Sequence, residues 1–110
     1  MISARFSKLG IRLALALLMS SWQLGAAHAA ETKVSIDNFT FSPASITVKV
    51  GDTVTWTNRD DIPHTVVSAG KFRSKAMDTD NSFSFTFTKA GDYQYFCSLH
   101  PHMTGTIKVE

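Results

Sequence analysis

Cys97, His100 and Met103 fall within seven residues, Cys97-Ser98-Leu99-His100-Pro101-His102-Met103, and a further imidazole, His64, lies thirty-three positions before the cysteine. A thiolate, two imidazoles and a thioether make up the ligand set of a trigonal His2Cys copper centre with a weak axial methionine. Soft sulfur favours Cu(I) and imidazole suits both oxidation states, so such a set points to one-electron chemistry. Taken singly, each residue has an ordinary reading: Cys97 as a small buried hydrophobe, His64 as a loop or capping histidine, Met103 as a core plug. The signal lies in their combination. His102 reads as a surface residue, because its neighbours already complete the set.

The elements that must position these side chains read as strands, because the dominant hydrophobic period is two. Val34 and Ile36 alternate with polar neighbours, as do Ile46, Val48 and Val50 before the turn Gly51-Asp52, and Val54 and Trp56 after it. His64 to Ser68 is a β-branched run. Phe83, Phe85 and Phe87 alternate with Ser84 and Thr86, giving an aromatic and a hydroxyl face. Lys89 to Asp92 reads as a turn, Tyr93 to Cys97 as a strand, and Thr106 to Val109 as the last strand. Residues 69–82 form the least regular stretch and read as a surface loop. Short strands, frequent turns and no credible helix predict an all-β Greek-key β-sandwich. In it, Cys97 ends a strand with its side chain on the inward face of Tyr93 and Tyr95. His64 follows Pro63 on one loop, while His100 and Met103 lie on the loop leading into the final strand. Two loops at one end of the sandwich bring the four side chains together.

Residues 1–29 have the pattern of a secretory signal peptide: Arg5, Lys8 and Arg12, then the apolar run Leu13 to Met19, then Ala27-His28-Ala29 as a cleavage site. The apolar run falls short of the roughly 20 residues a membrane span requires, so the expected mature form has no membrane span. Residues 30–110 are expected to be a single domain. They hold eight basic and nine acidic side chains, which removes the argument for nucleic acid binding that the formal net charge of +2 would suggest. They also hold one cysteine, Cys97, and an unpaired thiol in an exported chain calls for a role other than a disulfide. Seven phenylalanines (Phe39, Phe41, Phe72, Phe83, Phe85, Phe87 and Phe96) with Trp56, Tyr93 and Tyr95 are expected to supply the core of so small a domain.

The spacing Cys-x2-His-x2-Met, the element Pro63-His64-Thr65-Val66 and the run Gly91-Asp92-Tyr93-Gln94-Tyr95-Phe96-Cys97 resemble the cupredoxins, the small blue copper proteins, and among them the short ligand loop of the amicyanins. The resemblance covers nearly all of residues 31–110. It implies one type 1 copper ion held by His64, Cys97 and His100, with Met103 as the long axial ligand. It also implies transfer of single electrons between protein redox partners docking near His100, an amine dehydrogenase and a c-type cytochrome being the family's examples, by a periplasmic monomer. Two positions depart from the family pattern. Thr65 stands where most cupredoxins have asparagine, and a Thr65–Ser98 hydroxyl bond is the expected substitute, with the residue 65 amide still free to bond the Cys97 sulfur. His102 stands where amicyanins have an aromatic residue.

Rival chemistries are weaker. An immunoglobulin-like binding module would need a second cysteine for its inter-sheet disulfide. Methionine is a poor ligand for structural zinc. A cysteine hydrolase would use Cys97 with His100 or His64 as base, but no oxyanion hole or substrate pocket is recognisable. A multicopper oxidase or nitrite reductase needs more imidazoles than the single spare one, His102. The expectation is therefore a carrier and not an enzyme, with periplasmic copper storage or delivery as the alternative. Lys71, Arg73, Lys75, Asp60 and Asp61 read as solvated residues that rim a docking surface, and Met77 as ordinary packing.

Overall fold

A computed structural model describes residues 29–110; the expected signal peptide, apart from Ala29, lies outside the described residues. Among the described residues nine strands follow one another: β1 (Glu31–Asp37), β2 (Thr40–Ser42), β3 (Ser45–Val48), β4 (Thr53–Asn58), β5 (Val67–Ser68), β6 (Phe72–Arg73), β7 (Ser82–Thr86), β8 (Gly91–Cys97) and β9 (His100–Val109). They form a four-stranded sheet in the order β2-β1-β4-β7 and a five-stranded sheet in the order β3-β9-β8-β5-β6, the two layers of a β-sandwich. β1 runs parallel to β4 and β3 parallel to β9; the other pairings are antiparallel. Among the described residues no helix is long and apolar enough to cross a membrane.

The period-two pattern sets the layers. Val34 and Ile36 of β1 and Val54 and Trp56 of β4 turn inward and are buried, facing Tyr95, Cys97, Ile107 and Val109 of β8 and β9. Trp56 anchors the core, with Tyr95, Phe72 and Phe83 at ring-centroid distances of 5.4, 5.6 and 5.8 Å. On the other face of β4 and β7 the hydroxyls pair across the strands, Thr53 with Thr86, Thr55 with Ser84 and Thr57 with Ser82, each at 2.7 Å. That is the aromatic and hydroxyl division legible in the sequence. Gly105 lies opposite Tyr95 in the β8–β9 ladder, and a Cβ there would collide with the tyrosine ring.

Three expectations are revised. Residues 69–82 are not wholly irregular: β6 pairs with β5, and Met77, buried, forms a backbone bridge with His64 (Met77 N–H to His64 O, 2.8 Å; His64 N–H to Met77 O, 3.2 Å). The last strand begins at His100, six residues before the expected Thr106, because Cys97 pairs with His100 across the turn Ser98-Leu99. The register then breaks. Phe96 faces Thr104, so Pro101, His102 and Met103 bulge from the ladder, and the bulge re-aims side chains at that end of the sheet. Phe39 is not a core residue: it is 50% exposed at the tip of the β1–β2 hairpin.

That hairpin tip is unusual. Asn38 and Phe39 form a two-residue connection with φ of 51° and 58°, the left-handed conformation that right-twisted hairpins favour. Asparagine tolerates it. A bulky aromatic residue there costs roughly 1–2 kcal/mol, so something outside the hairpin must hold it.

Candidate metal centre

His64, Cys97 and His100 bring one donor atom each to within 4.8 Å of one another. Cys97 Sγ lies 3.7 Å from His64 Nδ1 and 3.7 Å from His100 Nδ1. Donors bound at about 2.0 Å (nitrogen) and 2.3 Å (sulfur) and spread about 120° around one ion lie about 3.7 Å apart. The spacing of these residues therefore fits a copper ion in a trigonal His2Cys site. Met103 is buried in the same core cluster as Cys97, and His102 is exposed.

Each donor is fixed by its own element. Cys97 ends β8 and is fully buried. Its sulfur accepts the Thr65 amide N–H at 3.4 Å and lies 3.7 Å from the Thr65 hydroxyl. Burial alone would push the thiol pKa up, but hydrogen bonds to the sulfur, the Thr65 amide's first among them, outweigh it and bring it down to about 6. Thr65 Oγ1 also accepts the Ser98 N–H at 2.8 Å and bonds Ser98 Oγ at 2.8 Å, so the expected hydroxyl link between the two loops is present. His100 opens β9 beside Leu99, which is 52% exposed. Its ring is half-buried and stands 5.0 Å from that of His64.

His64 is fully buried and held on three sides. Pro63 precedes it, Met77 bridges its backbone, and its Nε2 lies 2.7 Å from Asp60 Oδ2. Asp60, expected to be solvated, is buried. It accepts the Asn38 N–H at 2.6 Å on Oδ1 and the Phe39 N–H at 2.9 Å on Oδ2. Burial pushes the Asp60 pKa up, but the Phe39 amide, His64 and the Asn38 amide together bring it below the ordinary carboxylate value. An ionised carboxylate only accepts hydrogen bonds, so His64 Nε2 carries the proton and Nδ1 keeps its lone pair for a metal. Asn58, also fully buried, ties the rest of the segment down: its side-chain amide donates to Ile62 O and Met77 O, each at 2.9 Å, and its oxygen accepts the Asp60 N–H at 3.0 Å.

The geometry thus brings together His64, Cys97 and His100 and adds Asp60, Asn58 and Phe39, which the sequence reading did not place at the site. One signal was available: Asp60 precedes His64 by four residues, and a carboxylate near a ligand histidine is a common partner for its second nitrogen.

The chain's similarity to known proteins runs the same way. The family described as copper binding proteins, plastocyanin/azurin family, matches residues 28–110. Amicyanin of Paracoccus denitrificans is 33% identical over 117 residues, covering 99% of this chain and 89% of that protein. The chloroplast plastocyanin of Tetradesmus obliquus is 37% identical over 102 residues, covering 77% and 70%. Among solved structures, the Cu(I) form of an amicyanin point mutant superposes with a TM-score of 0.70 at 37% identity, covering 78% of this chain and 87% of that one. A purple cupredoxin from Nitrosopumilus maritimus gives a TM-score of 0.69 at 32% identity, covering 72% and 99%.

Proposed function

The chain belongs to the plastocyanin/azurin family of copper-binding proteins, and from that premise we propose that it is an exported type 1 copper protein that shuttles single electrons between protein redox partners. The observation that carries this reading is the convergence of one buried thiolate and two imidazoles, with both Nδ1 atoms 3.7 Å from the sulfur. His64, Cys97 and His100 are the proposed strong ligands and Met103 the axial one. Bound copper supplies a Cu(II)/Cu(I) couple. The protein supplies rigidity: a strand end, a two-residue turn, a proline and a bridged backbone fix the donors, so little has to move when the charge changes. The Thr65 amide at the sulfur spreads the thiolate charge, one of the levers that set potential.

Burial of Cys97 supports a carrier over a nucleophilic enzyme, since a substrate cannot reach a sulfur with no exposed surface. Redox partners are proposed to dock where His100 comes nearest to solvent, beside Leu99 and Pro101, both exposed. Residues 1–29 are the proposed cleaved leader and residues 30–110 the periplasmic domain, acting as a monomer.

The test is repeated reduction and reoxidation of the copper-loaded protein with a chelator present. An electron carrier cycles through one electron per ion and retains its metal; steady loss of Cu(I) to the chelator would instead support storage or delivery.

A further inference from the structure

Phe39 holds a position that its chemistry makes expensive and its surroundings enforce. The ring sits half-exposed in a left-handed turn, yet it stands perpendicular to both imidazoles, 5.5 Å from His64 at 85° and 5.1 Å from His100 at 90°. Strained backbone persists where its surroundings over-determine it. Here the determinant is Asp60, whose two oxygens take the amides of Asn38 and Phe39 while Oδ2 also takes His64 Nε2. One carboxylate therefore grips the hairpin tip and a ligand histidine at once. The hairpin and His64 are otherwise far apart in sequence.

We propose that Phe39 is a lid over the metal centre and Asp60 its latch, a positioning residue that couples the lid's closure to the His64 tautomer able to take metal at Nδ1. The proposal rests on the reading of His64 and His100 as ligands. The ring covers the outer side of both imidazoles and restrains His100, the half-buried one, from swinging away. Asp60 serves this as a carboxylate and not as a generic polar residue. An asparagine has one acceptor oxygen, so its NH2 group must face either the Asn38 amide or the pair formed by the Phe39 amide and His64 Nε2. The first arrangement leaves one donor unmatched and the second two, so asparagine keeps the Nε2 proton and loosens only the hairpin tip. Alanine removes every acceptor and leaves the Cys97 sulfur, 3.7 Å from Nδ1, as the acceptor beside the ring, which draws the proton to Nδ1 where it blocks the metal.

The test uses the metal-free and metal-loaded forms of wild type, Phe39→Ala, Phe39→Tyr and Asp60→Ala. Nitrogen-15 NMR of the metal-free proteins reads the His64 tautomer, which a merely structural role of Asp60 would not invert. The expected tautomer is protonated Nε2 in wild type and both Phe39 variants, and protonated Nδ1 in Asp60→Ala. Release of Cu(II) and of Zn(II) to excess chelator reads the lid. Loss of edge contacts of ordinary aromatic strength predicts release about tenfold faster in Phe39→Ala, with the wild-type rate restored in Phe39→Tyr. Asp60→Ala is expected to lose roughly 10–100-fold in metal affinity. An unchanged tautomer in Asp60→Ala overturns the latch, and wild-type release from Phe39→Ala overturns the lid. Failure of wild type to hold one ion per chain would instead overturn the ligand reading beneath both.

Discussion

Thr65→Val removes one hydroxyl and keeps nearly the same shape, which makes it a sharp probe of how the two ligand loops are joined. Thr65 Oγ1 accepts the Ser98 N–H and bonds the Ser98 hydroxyl, both at 2.8 Å, while the Thr65 amide that reaches the Cys97 sulfur belongs to the backbone and survives. Two hydrogen bonds at about 1 kcal/mol each give a loss of about 2 kcal/mol. Ser98 is exposed, so water can reach its freed groups and the larger cost of a buried orphan does not apply. In a domain of this size each kcal/mol moves the melting temperature by roughly 4–8 °C, which predicts a fall of about 8–16 °C in the metal-free protein. Ser98→Ala removes only the hydroxyl pair and should cost about 1 kcal/mol. Once Thr65 is valine the Ser98 hydroxyl has lost its partner, so the double variant should be no less stable than Thr65→Val, a coupling of about 1 kcal/mol. Urea unfolding of the four metal-free proteins measures the cycle. Strictly additive losses, or a Thr65→Val protein within about 0.3 kcal/mol of wild type, would refute the claim that this hydroxyl ties the loops.

The Cys97 thiol, at about 6 against an ordinary 9.0, gives the metal-free protein a stability contribution that is complete above about pH 9 and is lost as the pH falls toward 6; thiolate absorbance should titrate near 6, and a midpoint at the ordinary value would contradict it. Gly105→Ala places a methyl group against the Tyr95 ring across the β8–β9 ladder, and overpacking of that kind should destabilise by about 1–3 kcal/mol in thermal unfolding; a neutral outcome would mean that Tyr95 can move aside. Asp52 accepts the Ala30 and Lys49 amides at 2.9 Å each. If the chain is processed after Ala29, the Ala30 nitrogen becomes an ammonium facing that carboxylate, so Asp52→Asn should cost more stability in the processed chain than in the unprocessed one, and equal losses in urea unfolding would contradict that pairing.

The parts of this site that were legible in the sequence are those encoded over short distances. Cys97 and His100 share one segment, His64 is marked by Pro63 and a β-branched run, and the alternation of Val54 with Trp56 or of Phe83 with Phe85 gives the sheet faces directly. What was missed depends on contacts between remote segments. Asp60 looks like one more surface carboxylate until the β1–β2 hairpin tip, more than twenty residues away, folds onto it. Phe39 looks like core because phenylalanine usually is, but the turn it occupies carries it outward onto two imidazoles. The early start of β9 was hidden by Pro101, which normally argues against a strand. β3 pairs only with residues 106–109, so Pro101 meets no neighbour on that side and, bulged out of the ladder, needs no amide to donate.

The central claim is that His64, Cys97 and His100 gather around one copper ion in a trigonal thiolate site. The most direct measurement is the optical and EPR spectrum of the copper-loaded protein, recorded beside Cys97→Ser and His102→Ala. The account predicts an intense visible thiolate-to-copper absorption at one ion per chain, lost in Cys97→Ser and largely kept in His102→Ala. A colourless wild-type protein with copper bound, or colour lost with His102, would contradict it.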